Sequence, residues 1–125
     1  MSGSASLFIV LGALSGFVSV AAGAFGAHAL RKRLSADLLA VFETGARYQM
    51  FHALGLVGVG LLLGRQPSAA LGAAGWLFFV GTVLFSGSLY ALALSGVRRF
   101  GAIAPLGGLA LLGGWLALGW AALGG

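Results

Sequence analysis

The sequence contains no cysteine, only two prolines, and very little charge: seven Lys or Arg and two Asp or Glu in 125 residues. Each shortage excludes something. Without cysteine there is no disulfide, no thiolate nucleophile and no cysteine-type metal site. Charged residues make up 7% of the chain, against about 25% in soluble domains, and so few cannot cover a water-soluble fold of this size. With one lysine, Lys32, set within Arg31-Lys32-Arg33, there is no phosphate-binding Walker loop. No ladder of acids and bases runs through the apolar segments, which argues against an ion-driven pump acting as a monomer.

What remains is apolar and small. Hydrophobic residues make up 60% of the chain, there are 23 glycines, and the mean hydropathy is +1.07. A bilayer is the solvent that suits such a composition, and a span needs roughly 20 predominantly apolar residues to cross about 30 Å of hydrocarbon. Four segments qualify, at about 5–29, 46–64, 69–96 and 101–123, which predicts an all-α, four-helix transmembrane bundle in a single membrane domain over 1–125. No basic residue precedes Arg31, so the first segment is expected to stay as a span and not to serve as a cleaved signal.

The net charge of +5 does not point to nucleic acid, because the basic residues sit in short clusters between apolar runs. Arg31, Lys32, Arg33, Arg98 and Arg99 fall in the first and third loops, with Arg47 close by, and only Arg65 falls in the second. The positive-inside rule then places both termini on the non-cytoplasmic side of the inner (plasma) membrane.

Small residues recur along the first span at Gly12, Gly16, Ser19, Gly23 and Gly26, and along the third at Ala74, Gly81, Ser88 and Ser95. Such seams allow close backbone approach, either within a bundle or between copies of the chain. Ser35 with Asp37 reads as the capped start of the second helix, near the headgroups. Trp76, Trp115 and Trp120 read as interfacial anchors. Pro105 is expected to kink the fourth span or to sit in its first turn.

The candidate polar cluster is His28, Glu43, Arg47, Tyr48, His52, Ser86, Ser88 and Tyr90, all expected in the cytoplasmic half. Glu43 and Arg47, four apart with the acid first, suit an interfacial ion pair, with Glu43 as proton acceptor or ligand the sharper alternative. For His52 a hydrogen-bonded structural role competes with a functional one. His28, His52 and Glu43 lack the local spacing of a metal site, so no metal or other cofactor is expected.

The segments Gly23-Ala24-Phe25-Gly26-Ala27-His28, Phe42 to His52, Leu84 to Tyr90 and Ala104-Pro105-Leu106-Gly107-Gly108 resemble the "domain of unknown function 423" family, the YgdD-like small bacterial inner-membrane proteins with eukaryotic relatives. The resemblance covers nearly the whole chain. It implies a four-helix membrane protein and brings neither an established activity nor catalytic residues to carry over. Three functions stay open: a non-enzymatic protein acting by helix packing, as a homo-oligomer or accessory subunit of a larger membrane complex; a binder or carrier of a small or lipid-like molecule through a pocket formed by His52, Tyr48, Ser86 and Tyr90; and a membrane-embedded enzyme.

Overall fold

The computed structural model describes residues 3–125. Its secondary structure is helical throughout. α1 (Gly3–Val20) runs through a π-helical turn (Ala21–Gly26) into the short α2 (Ala27–Leu30). After it come α3 (Ala36–Arg65), α4 (Ala69–Ser95), a 3-10 turn (Arg98–Ala102) and α5 (Ala104–Ala122). Four helical stretches, Gly3–Leu30, Ala36–Arg65, Ala69–Ser95 and Arg98–Ala122, are long and apolar enough to cross a membrane. Large apolar side chains such as Phe17, Phe25 and Leu116 point outward, the reverse of a water-soluble protein and the arrangement that lipid tails favour.

The helix ends follow their local chemistry. Ser35 caps α3, its hydroxyl oxygen accepting from the Leu38 amide at 3.2 Å. Ser68 does the same for α4 through Leu71, also at 3.2 Å. α4 ends at Gly96, whose φ of 72° is the left-handed conformation that costs glycine nothing. Pro105 lies in the first turn of α5, where its missing amide hydrogen would have had no helical partner. α3 starts ten residues before the span expected from Ala46. At about 1.5 Å per residue this extra length extends beyond the hydrocarbon layer on the side of Asp37.

The helices pack in chain order. α1 lies on α3, α3 on α4 and α4 on α5, with slight contact between α1 and α4 and no substantial packing of α1 on α5. The bundle is therefore open at both flanks of the α3–α4 pair. The two basic loops share one end of the bundle, the basic end, where Arg98 meets Asp37 at 3.3 Å. Nearer the termini, Phe8, Leu56, Val59, Leu71, Ala74, Phe78 and Leu111 form the apolar core.

Two helix crossings depend on reciprocal glycines. A Cβ on Gly12 of α1 would lie 2.8 Å from the Ala53 carbonyl oxygen, and one on Gly60 of α3 would lie 2.7 Å from the Ala5 carbonyl oxygen. Gly81 of α4 and Gly107 of α5 are likewise pressed against Leu111 and Phe85. Neighbouring backbones thus come as close as small residues allow. Gly16 and Gly23 are less crowded, with 3.8 Å to the Ala53 and Ala46 methyls respectively.

These distances separate positions that look alike in sequence. Gly12→Ala should lower unfolding stability in detergent by about 1–3 kcal/mol through overpacking. Gly16→Ala should be neutral or stabilising by up to about 1 kcal/mol, because it meets only an ordinary contact and gains helix propensity. Equal midpoints for the two variants in thermal unfolding would contradict this packing.

Candidate functional site

The polar side chains converge on one stretch of α3, Gly45 to His52. Ser19 on α1 donates its hydroxyl to the Ala46 carbonyl at 2.7 Å, and Ser86 on α4 donates to the Gly45 carbonyl at 2.7 Å. These acceptors are accessible because carbonyl oxygens in a helix keep a second lone pair and because Gly45 and Ala46 carry almost no side chain to hold the neighbours off. Gln49, on the same side of the helix, donates through Nε2 to Ser15 Oγ at 3.2 Å. Its Oε1 accepts from the Tyr90 hydroxyl at 2.7 Å. One turn of α3 is thereby tied to both neighbours by four hydrogen bonds.

His52 lies one turn further on and faces α5. Its Nδ1 is 2.7 Å from the Tyr48 carbonyl, and its Nε2 is 3.0 Å from Nε1 of Trp115. An indole N–H can only donate, so Nε2 accepts and the proton sits on Nδ1, where it is given to Tyr48. Both ring nitrogens are thus engaged. The imidazole is 5% exposed and lies edge-on between Phe78, at 5.5 Å, and Trp115, at 5.7 Å between ring centroids. In this state it has no lone pair to offer a metal or a substrate proton.

Above this pair lies a cavity of about 580 Å³ between α3 and α5, with α4 behind it. Tyr48, Phe51, His52, Phe85, Pro105, Gly108, Leu109, Leu112 and Trp115 are among its walls. Ser86 and Tyr90 do not line it. They face a separate cavity of about 410 Å³ on the opposite flank, between α1 and α4. The single pocket expected from His52, Tyr48, Ser86 and Tyr90 is therefore two pockets, because the α3–α4 contact separates these residues. Ser88 returns its hydroxyl to the Phe85 carbonyl in its own helix at 2.9 Å.

The expected ion pair between Glu43 and Arg47 is not formed. Among the described residues the ion pair is that of Arg98 with Asp37, both exposed. Both side chains are exposed, and holding two long exposed chains in one geometry returns little. They instead border a notch of about 230 Å³ with Ser19, Gly23 and Met50, beside the π-helical turn. His28 is exposed in α2, away from His52. Among the described residues no three of His, Asp and Glu gather as a metal-binding group.

Trp115 is not the interfacial anchor expected of it, since its indole N–H reaches inward to His52. Trp76 does stand outward, half exposed, with Phe8 against its ring at 5.3 Å. The seam Gly12, Gly16, Ser19, Gly23 and Gly26 packs on α3 of the same chain, against Ala53, Val57, Ala46 and Phe42. Gln49 and Ser15 lie outside the polar cluster expected from the sequence, and Trp115 is expected only as an anchor. An uncharged amide in the middle of an apolar span was the available signal for Gln49, because such a group must find a partner within the protein.

The model of the family described as "Protein of unknown function (DUF423)" matches residues 22–108. The chain belongs to this family. DUF423 relatives align over most of their length. A UPF0382 membrane protein of Staphylococcus haemolyticus is 52% identical over 112 residues, covering 90% of this chain and 91% of its own. The UPF0382 membrane protein YwdK of Bacillus subtilis is 45% identical over 111 residues, covering 88% and 90%. The UPF0382 inner membrane protein YgdD of Escherichia coli is 43% identical over 107 residues, covering 86% and 82%. No solved structure matches the chain. Together with the four apolar helices, this makes the chain a small multi-pass membrane protein from a family of unknown activity.

The polar turn gives a direct measurement. Gln49→Leu leaves Ser15 and Tyr90 without their shared partner and should lower unfolding stability in detergent by about 1–3 kcal/mol. Thr44→Val, which removes only a bond to Ala40 within the same helix, should stay within about 0.5 kcal/mol. A double-mutant cycle of His52→Ala with Trp115→Phe should return a coupling of about 0.6–1.7 kcal/mol, between the mean and the largest value for hydrogen bonds between membrane helices. A coupling of zero would remove the bond.

Proposed function

We propose that the protein is a non-catalytic multi-pass protein of the inner (plasma) membrane that holds the apolar tail of an amphiphile in the cavity between α3 and α5. The carrying observation is the cavity's shape and lining. About 580 Å³ of space falls within the usual range of ligand sites. From Pro105 to Trp115 the wall runs ten residues, about 15 Å at the rise of an α-helix. The His52–Trp115 bond closes it at depth, and Tyr48 brings the one phenol to its lining. An apolar tail would run down from the basic end with its head among the headgroups, beside the turn that carries Arg98 and Arg99.

The basic clusters support placing that end in the cytoplasm and both termini outside. The enzyme reading has less behind it, because His52 has no unengaged nitrogen and no second titratable group shares its hydrogen bonds. The reading as a homo-oligomer or accessory subunit loses its main support in the first-span seam, which is spent within the chain.

Gly108 provides the test, since a Cβ there meets only Phe85 at 3.9 Å. Gly108→Phe should fill the cavity and strip a co-purifying lipid from the protein in native mass spectrometry. Gly58→Phe, on a position with open space outside this cavity, should retain it. The same bound mass in both variants would reject the reading. Orientation is tested separately, helped by the absence of native cysteine. Leu123→Cys should react with an impermeant maleimide on intact cells, and Ala36→Cys only after permeabilisation; the opposite pattern would invert the topology.

A further inference from the structure

The cavity between α1 and α4 differs in chemistry from the one assigned above. Its apolar wall includes Leu14, Phe79 and Val83, and its polar residues are Ser15, Gln49, Thr82, Ser86 and Tyr90. No Lys, Arg, His, Asp or Glu lines it. A charged ligand would sit in hydrocarbon with nothing to neutralise it, which excludes that class.

One polar atom here is unaccounted for. Thr82 is 7% exposed, and among the described residues its Oγ1 is the buried side-chain polar atom without a hydrogen-bond partner. A threonine in a helix ordinarily returns its hydroxyl to the preceding turn, as Thr44 does to Ala40 at 2.9 Å. In the rotamer present the Thr82 oxygen has almost no exposed surface, so a molecule in the cavity reaches it by a turn about χ1, between the two rotamers that helical threonine populates. Gln49 has a second amide hydrogen beyond the one given to Ser15. Two uncharged donors, from α4 and α3, thus border an apolar space.

We propose that this cavity binds a neutral, membrane-soluble molecule through a carbonyl oxygen, which accepts from the Thr82 hydroxyl and the Gln49 amide. A carbonyl oxygen takes two hydrogen bonds without carrying charge, and the rest of the molecule lies against Leu14, Phe79 and Val83. Two membrane constituents offer that chemistry: a quinone ring and a glycerolipid ester. The proposal is independent of the α3–α5 cavity, so Gly108→Phe should leave it intact.

The experiment titrates the full chain in dodecyl maltoside, a detergent without a carbonyl, with a short-chain ubiquinone and separately with dioleoylglycerol, following the thermal unfolding midpoint. One of the two should raise the midpoint saturably, and which one does so identifies the source. Thr82→Val, which keeps the shape and removes the hydroxyl, should weaken apparent affinity about tenfold, the equivalent of one hydrogen bond. Thr82→Ser should bind within about twofold of the parent, a change worth less than half of one such bond. A midpoint unmoved by either probe would overturn the proposal. So would Thr82→Val binding as the parent does, which would leave the cavity to water and passing lipid tails.

Discussion

One turn of α3, from Gly45 to Gln49, receives hydrogen bonds from the helices on both sides of it, and the inner architecture depends on that turn. In hydrocarbon a polar group has no water as an alternative partner. Ser19, Ser86, Ser15 and Tyr90 therefore all turn toward the same few atoms of α3. The two carbonyls are reachable because Gly45 and Ala46 have almost no bulk, and Gln49 is reachable because its amide both gives and accepts. Each bond is modest, of the order of 0.6 kcal/mol in membrane proteins that have been dissected. Their value here is in register: they set how far α1 and α4 slide along α3.

Away from that turn, packing without polar atoms takes over. The reciprocal glycines at the α1–α3 and α4–α5 crossings bring backbones together where dispersion, with no hydrophobic driving force between helices, must supply the attraction. Because the pairs are sequential, neither flank of the α3–α4 pair is closed by a fourth neighbour, and a cavity is left on each side. The two differ because α3 turns different residues to each: His52, already satisfied by Tyr48 and Trp115, to one side, and Gln49, with capacity to spare, to the other.

The four apolar stretches, the Ser35 cap and the concentration of polar residues toward one end were legible in the sequence, because hydropathy and capping are local properties. The partners were not. Tyr90 and His52 stand out as polar residues in apolar spans, but whether they share a pocket depends on helix rotation, and the α3–α4 contact puts them on opposite flanks. Trp115 reads as an anchor by its position near a helix end, and only the position of α5 beside α3 turns it into the partner of His52. Gln49 carries no charge and so does not stand out in the sequence as Glu43 and His52 do, though in hydrocarbon an amide faces the same demand for a partner. The π-helical turn at Ala21–Gly26 leaves no mark in a run of alanine and glycine broken only by Phe25.

The chain-order packing has a consequence for how the molecule comes to exist. A polytopic protein leaves the ribosome N-terminus first, and here each arriving helix finds its main neighbour already in the bilayer: α3 meets α1, α4 meets α3, and α5 meets α4. Assembly can follow synthesis step by step, with contacts of low sequence separation at each stage. The bond from Trp115 to His52 spans 63 residues and has to wait for the last helix, so it acts as the final latch on a structure otherwise built in the order in which it was written.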